Sequence, residues 1–270
     1  MRIYFLIDFF SFSDLLVFPA CFLILYMVIR AKARRHKDPA IRDLYYRAFF
    51  FKAICTMTFV TLTQFYFKGG DTALFYQATQ DLRAAVKADP ANLRLALESS
   101  AISFKNPLFD FFYFDGYRGD LTYSYMISPA NYFPARVALI PSYIFFNSYL
   151  CVSFVFGFFA LGGAIRLFKT FYHFYPNYYR EIAFACLFLP SVAYWSSGLL
   201  KDPITFGCVG YFLYGLLNIF IKKKKILISL AIVIAFGFVI YLVKAYILLV
   251  LVISVLIWQF AEINKQIENR

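Results

Sequence analysis

The sequence predicts an all-α fold: a polytopic transmembrane bundle of about seven helices, with one extracytoplasmic loop that carries short amphipathic helices. Three observations predict it. Of 270 residues, 62% are hydrophobic and only 16% charged, with a mean hydropathy of +0.66, whereas soluble domains are about half apolar and roughly a quarter charged. Phe 36 and Tyr 22 are high totals, and aromatic rings suit the bilayer core and the headgroup belt. The basic residues are gathered between apolar runs, at Arg30, Lys32, Arg34, Arg35 and Lys37 and again at Lys222 to Lys225, where they orient membrane helices.

A span needs about 20 mainly apolar residues to cross the hydrocarbon core. Such runs fall at 15–29, 48–67, 137–165, 182–200, 204–221, 226–243 and 246–260. The first is short, and the opening stretch with Asp8 and Asp14 is compatible with lying along the interface. The last two are separated only by Lys244, so one long or broken helix is the alternative. With the N-terminus outside and the C-terminus cytoplasmic, every short basic loop falls on the cytoplasmic side, as the positive-inside rule requires. A multi-pass membrane protein in this orientation is therefore expected. Residues 1–270 read as one integral membrane domain, because the apolar runs extend almost end to end.

The one long polar stretch, 69–135, then lies outside. It holds seven of the 15 acidic residues. Within it, 72–87 has helical spacing, with Leu74, Ala78, Leu82 and Ala85 on one face. Pro90 ends that helix and 91–99 can form another. The remainder, 109–133, is aromatic and suits a loop on lipid headgroups.

Charge and cysteine usage exclude several classes. The net charge of +12 would fit nucleic acid, but no module that reads it is present. Cys21, Cys55, Cys151, Cys186 and Cys208 lie in apolar runs without a CxxC spacing, so neither zinc nor a disulfide framework is indicated. His36 and His173 fall in basic loops and support neither a histidine metal site nor a Ser-His-Asp triad. Gly162-Gly163 inside an apolar helix reads as close helix packing.

Candidate chemistry concentrates at the outer ends of the spans. Asp71 follows Gly69-Gly70 directly after a membrane helix. Its carboxylate could take a proton from a sugar hydroxyl or hold a divalent cation; the plainer alternative is a helix cap. Ser196-Ser197-Gly198-Leu199-Leu200-Lys201-Asp202-Pro203 forms a turn in which Lys201 can meet a lipid phosphate and Asp202 can orient it. The alternative is an ordinary snorkelling lysine. Lys244 is an isolated cation between two apolar runs, which makes it a functional candidate or a simple hairpin lysine. Asp71, Arg118, Lys201, Asp202 and Lys244 all map near one membrane surface. An acid among cations suits reaction at a lipid-linked phosphate, where the cations stabilise the leaving group.

At Gly69-Gly70-Asp71, at the stretch from Pro190 to Asp202 with its Trp-Ser-Ser-Gly-Leu-Leu-Lys-Asp ending, and at Lys244-Ala245-Tyr246, the chain resembles the GT-C superfamily of polyprenyl-phosphate-sugar-dependent glycosyltransferases. It is similar in particular to the bacterial polysaccharide polymerase-like members. The resemblance covers roughly 48–260. It implies an acidic residue of the first large outer loop as base or metal ligand, a role that would fall on Asp71. It also implies basic residues on the lipid phosphate, which points to Lys201 and Lys244. The pattern departs from the superfamily in having a helix ahead of the one that leads into the large loop. It also implies a shortened member, since relatives continue with further membrane helices.

Three functions compete. One is a transferase moving a sugar from a polyprenyl-linked donor on the extracytoplasmic face, for polysaccharide biosynthesis. Another is a non-catalytic scaffold that binds protein partners in an envelope complex. The third is a lipid or solute transporter, which would want ionisable groups near the midplane. Only Lys52 lies inside a span, read as near its cytoplasmic end. Membrane lipids are partners in every case.

Overall fold

A computed structural model describes residues 10–113 and 124–268. All regular structure among them is helical. Five stretches are long and apolar enough to cross a membrane: Asp14–Ala33, Pro39–Phe67, Tyr149–Phe174, Lys201–Ile221 and Ile226–Trp258.

Helix α1 (Asp14–Ala33) buries Cys21, Leu25, Ile29 and Ala33. Their spacing of four places them in one stripe along the helix. The stripe meets Tyr45, Ala48 and Phe49 of α2 (Pro39–Leu62) and, farther along the chain, Phe154. On the other side Leu15, Leu16, Leu23, Ile24 and Met27 are exposed, an apolar face suited to lipid. Asp38 caps α2 by accepting from the Ala40 amide, with Pro39 at the first helical position. Helix α2 runs through a π-turn at Thr63–Phe67 and stops at Lys68, which is left-handed.

A layer of shorter helices follows: α3 (Asp71–Ala88), α4 (Asn92–Glu98), α5 (Phe109–Tyr113) and α6 (Pro129–Ile144). Ala78, Leu82 and Ala85, expected on one face of α3, are fully buried, and Leu74 is half-buried. Polar ties fasten the layer to the bundle and to itself. The Thr72 and Tyr149 hydroxyls lie 2.5 Å apart and the Tyr76 hydroxyl donates to the Asn147 carbonyl at 2.5 Å, while within the layer the Tyr132 hydroxyl donates to the Ala96 carbonyl at 2.9 Å.

The apolar run at 137–165 is not one helix. Helix α6 ends at Ile144, and Phe146 and Asn147 turn left-handed. Ser148 then caps α7 (Tyr149–Phe174) by accepting from the Cys151 amide. The run at 182–200 is also interrupted. It comprises α8 (Tyr179–Ala183), a π-turn at Phe184–Phe188, an extended Leu189 and α9 (Pro190–Trp195). Pro190 accounts for the break, because it restricts the residue before it to extended backbone.

Helix α10 (Lys201–Leu216) crosses α7 closely. A Cβ on Gly163 would lie 2.3 Å from the Gly207 carbonyl oxygen, and one on Gly210 would lie 2.0 Å from that of Gly163. Small residues let membrane helices approach to this degree. Helix α11 (Ile226–Glu268) is a single element by hydrogen bonding, but Lys244 within it is non-helical (φ −149°, ψ 75°). The chain reverses there. Val233 meets Gly215 on the way out, Lys244 reaches Asp202, and Trp258 returns to stack edge-on against Phe174 at 5.8 Å.

Candidate functional site

The ends of four elements meet at one end of the bundle. The first is the turn into α3. Lys68, Gly69 and Gly70 have φ of 53°, 137° and 98°, conformations that glycine adopts without a Cβ penalty. A side chain on Gly70 would meet nothing within 4 Å, so backbone geometry is what requires glycine there. The helix cap is Gly70, and Asp71 is the first residue inside the helix. The capping role weighed for Asp71 therefore belongs to its neighbour. Asp71 is exposed, and the positive end of the α3 dipole favours its carboxylate.

The second is a single helical turn around Tyr125, followed by the start of α6. The Tyr125 phenol lies within electrostatic range of the Asp71 carboxylate. Burial first, then the nearby charge of Asp71, push the phenol above its usual range. The Asn131 side-chain amide donates to the Tyr125 carbonyl at 2.9 Å.

The third is the start of α10. Lys201 donates to the Asn131 side-chain oxygen, and its ammonium lies 6.0 Å from the centre of the Tyr125 ring. It stands within electrostatic range of Asp71, Asp202 and Lys244. The fourth is the break in α11, where Lys244 pairs with Asp202, and both side chains are only partly exposed. Asp71, Lys201, Asp202 and Lys244 are thus brought together. Arg118 lies outside the described residues.

Helices α7 and α10 run in parallel with Gly163 beside Gly207 and Gly210. Counting back from that crossing sets Lys201 level with Val155, about 9 Å below Tyr149 at 1.5 Å per residue. Beside it opens an apolar crevice of about 350 Å³. Phe133, Ile204, Val155 and Phe159 are among its walls. Ile204 lies one turn from Lys201, and Phe133 two residues from Asn131, so polar head and apolar trough adjoin.

Lys52 serves this arrangement from below. Helix α2 begins at Pro39, well ahead of the expected 48, so Lys52 falls midway along it and not near an end. It is 4% exposed. Its ammonium donates to the Ala193 carbonyl at 3.0 Å and to the Ser196 carbonyl and hydroxyl at 3.3 and 2.7 Å. These oxygens lie at the C-terminal end of α9, where a cation is favourable, and they lead directly into Ser197–Lys201. Sequence reasoning missed the roles of Tyr125, Asn131 and Lys52. Tyr125 is one of 22 tyrosines and carries no local signal, whereas the isolated charge of Lys52 did mark it out.

Among the described residues no three His, Cys, Asp or Glu side chains are grouped to hold a metal. With Asp202 held by Lys244, Asp71 is the one carboxylate of the cluster, among the described residues, left for the divalent cation weighed as an alternative for it. No family model matches the chain, and neither a curated protein nor a solved structure does. Fold and site together define a multi-pass helical membrane protein with an acid–cation cluster at one end of its bundle.

Proposed function

We propose that the protein is a membrane glycosyltransferase of the GT-C kind, acting on a polyprenyl-linked sugar at the extracytoplasmic face. One observation carries the reading: an exposed carboxylate and two lysines cluster at one end of the bundle beside an apolar crevice. A polyprenyl phosphate has the matching form, an anionic head on an apolar chain.

In the proposed reaction the acceptor hydroxyl oxygen attacks the anomeric carbon of the donor sugar. The carbon–oxygen bond to phosphate breaks, and the bonding pair leaves with the phosphate. Asp71 takes the hydroxyl proton, and Lys201 stabilises the charge that develops on the leaving oxygen. Lys244 holds Asp202 near the same phosphate. Tyr125 orients the Asp71 carboxylate. The orientation, with this cluster outside and the tetralysine inside, follows from the distribution of basic residues.

The scaffold reading makes no use of the acid–cation cluster or the crevice beside it. Transport would use Lys52 as a midplane charge, yet that ammonium is already engaged by three oxygens.

The test is Asp71→Asn, reconstituted in membranes supplied with a polyprenyl-phosphate-linked sugar pool. Release of polyprenyl phosphate is expected to fall by about a hundredfold or more, in the range lost with a general base, while the protein inserts and accumulates normally. Unchanged release, with stoichiometric co-purification of partner proteins, would establish the scaffold instead.

A further inference from the structure

The far end of the bundle holds a second cavity, of about 600 Å³, between α1, α2, α7 and α10. Lys32, Arg35, His36, Arg166, Lys169 and Lys225 all line it, and none of its lining residues is acidic. Among the described residues no carboxylate lies within 4.0 Å of any of these cations. They repel one another: Lys32 is within electrostatic range of Arg35 and Arg166, and Lys169 of Arg166, Lys222 and Lys32. Tyr45 is another wall. The nearest acid, Asp38, caps α2.

Basic residues at this end are expected from the positive-inside pattern, but that pattern needs only that they reach the headgroups. Their geometry is different. Arg166 turns back along α7, donating to the Gly162 carbonyl at 2.9 Å, with its guanidinium carbon 3.8 Å from the centre of the Tyr211 ring. It points toward the middle of the bundle and is not snorkelling to the nearer surface. Lys169 is half-buried. Its ammonium lies 3.3 Å from His36 Nε2, which in turn lies 3.2 Å from the Tyr45 hydroxyl. A planar guanidinium with flanking ammonium groups is the donor set that binds phosphate oxygens.

We infer that this cavity binds a phosphate- or diphosphate-bearing ligand, on the membrane face opposite the Asp71 cluster. Lys169 follows Val155, the residue level with Lys201, by 14 residues along α7, about 21 Å at 1.5 Å per residue, so the two sites are separate. The phosphate can belong to a lipid headgroup or to a soluble molecule such as a nucleotide. Val155, Phe158 and Phe159 give the cavity an apolar wall beside its cations, and that pairing favours a lipid. The inference does not depend on the glycosyltransferase reading.

The experiment uses the full chain in nanodiscs of neutral lipid. Two probes are titrated: phosphatidic acid introduced into the disc, and pyrophosphate in solution. Saturable binding of at least one is expected. Arg166→Gln with Lys169→Gln should weaken it by about tenfold or more, the loss of one charge-assisted contact. Lys223→Gln with Lys224→Gln removes the same charge from exposed positions outside the cavity, and should change binding less than about twofold. Phosphatidic acid alone would identify a lipid headgroup, and pyrophosphate alone a soluble phosphate. Failure of both probes to bind, or equal losses in the two double variants, would overturn the inference. Should the cavity variant not fold, lysine acylation of the wild-type protein decides. Bound probe must slow modification of Lys169 and Lys32 but not of Lys223 and Lys224, and equal rates would refute the site.

Discussion

Lys201 occupies the first turn of a helix, where the macrodipole disfavours a cation. It is held there by Asn131 and by the field of Asp71, and a local conflict of this kind is expected where function sets the residue. Asn131 is accordingly a positioning residue. If the proposed glycosyl transfer is the activity, Asn131→Leu is expected to lower it on the order of 10-fold to 100-fold, through misplacement of the ammonium, with Asn131→Asp retaining most of it. Equal protein yield but unchanged turnover for the leucine variant would remove Asn131 from the site. The sequence picks out Asp71, Lys201 and Lys244 because each carries charge at the end of an apolar run. Asn131 was not, since its importance comes from a partner 70 residues away.

At the scale of elements, hydropathy located the lipid-compatible segments but not their breaks. The turn at Phe145–Ser148 contains no glycine, and its signals, Asn147 in a left-handed conformation and Ser148 as a cap, sit inside a continuous apolar run. Pro190 was a visible breaker in the run at 182–200, yet hydropathy alone joined its two halves. Gly163 was correctly associated with packing. Its contact with α10 predicts that Gly163→Val destabilises by about 2 kcal/mol or more, as overpacking does. Gly237→Ala, whose added carbon would sit 3.3 Å from the Phe212 ring, should be far milder. Thermal unfolding of the two variants in detergent separates them, and equal midpoints would show that the α7–α10 crossing is looser than described.

For the whole molecule, the reversal at Lys244 decides which segments share a surface. It returns Trp258 to Phe174 and leaves Lys244 beside Asp202, so the last two apolar runs, which the sequence left open between one helix and two, fold back on each other. The orientation can be checked with single cysteines, because all five native cysteines are buried. Asp89→Cys and Lys223→Cys occupy exposed positions and should react with an impermeant maleimide from opposite sides of a sealed vesicle. Reaction of both from the same side would contradict the threading on which the outward placement of Asp71 rests.

The grip of Lys52 on Ala193 and Ser196 has a further consequence. The turn leading to Lys201 hangs from one flexible arm anchored in another helix, so its depth depends on the reach of that arm. Evolution could retune the chemistry by exchanging a residue that never meets the substrate. An inhibitor lodged beneath the turn could silence the protein without competing for its donor.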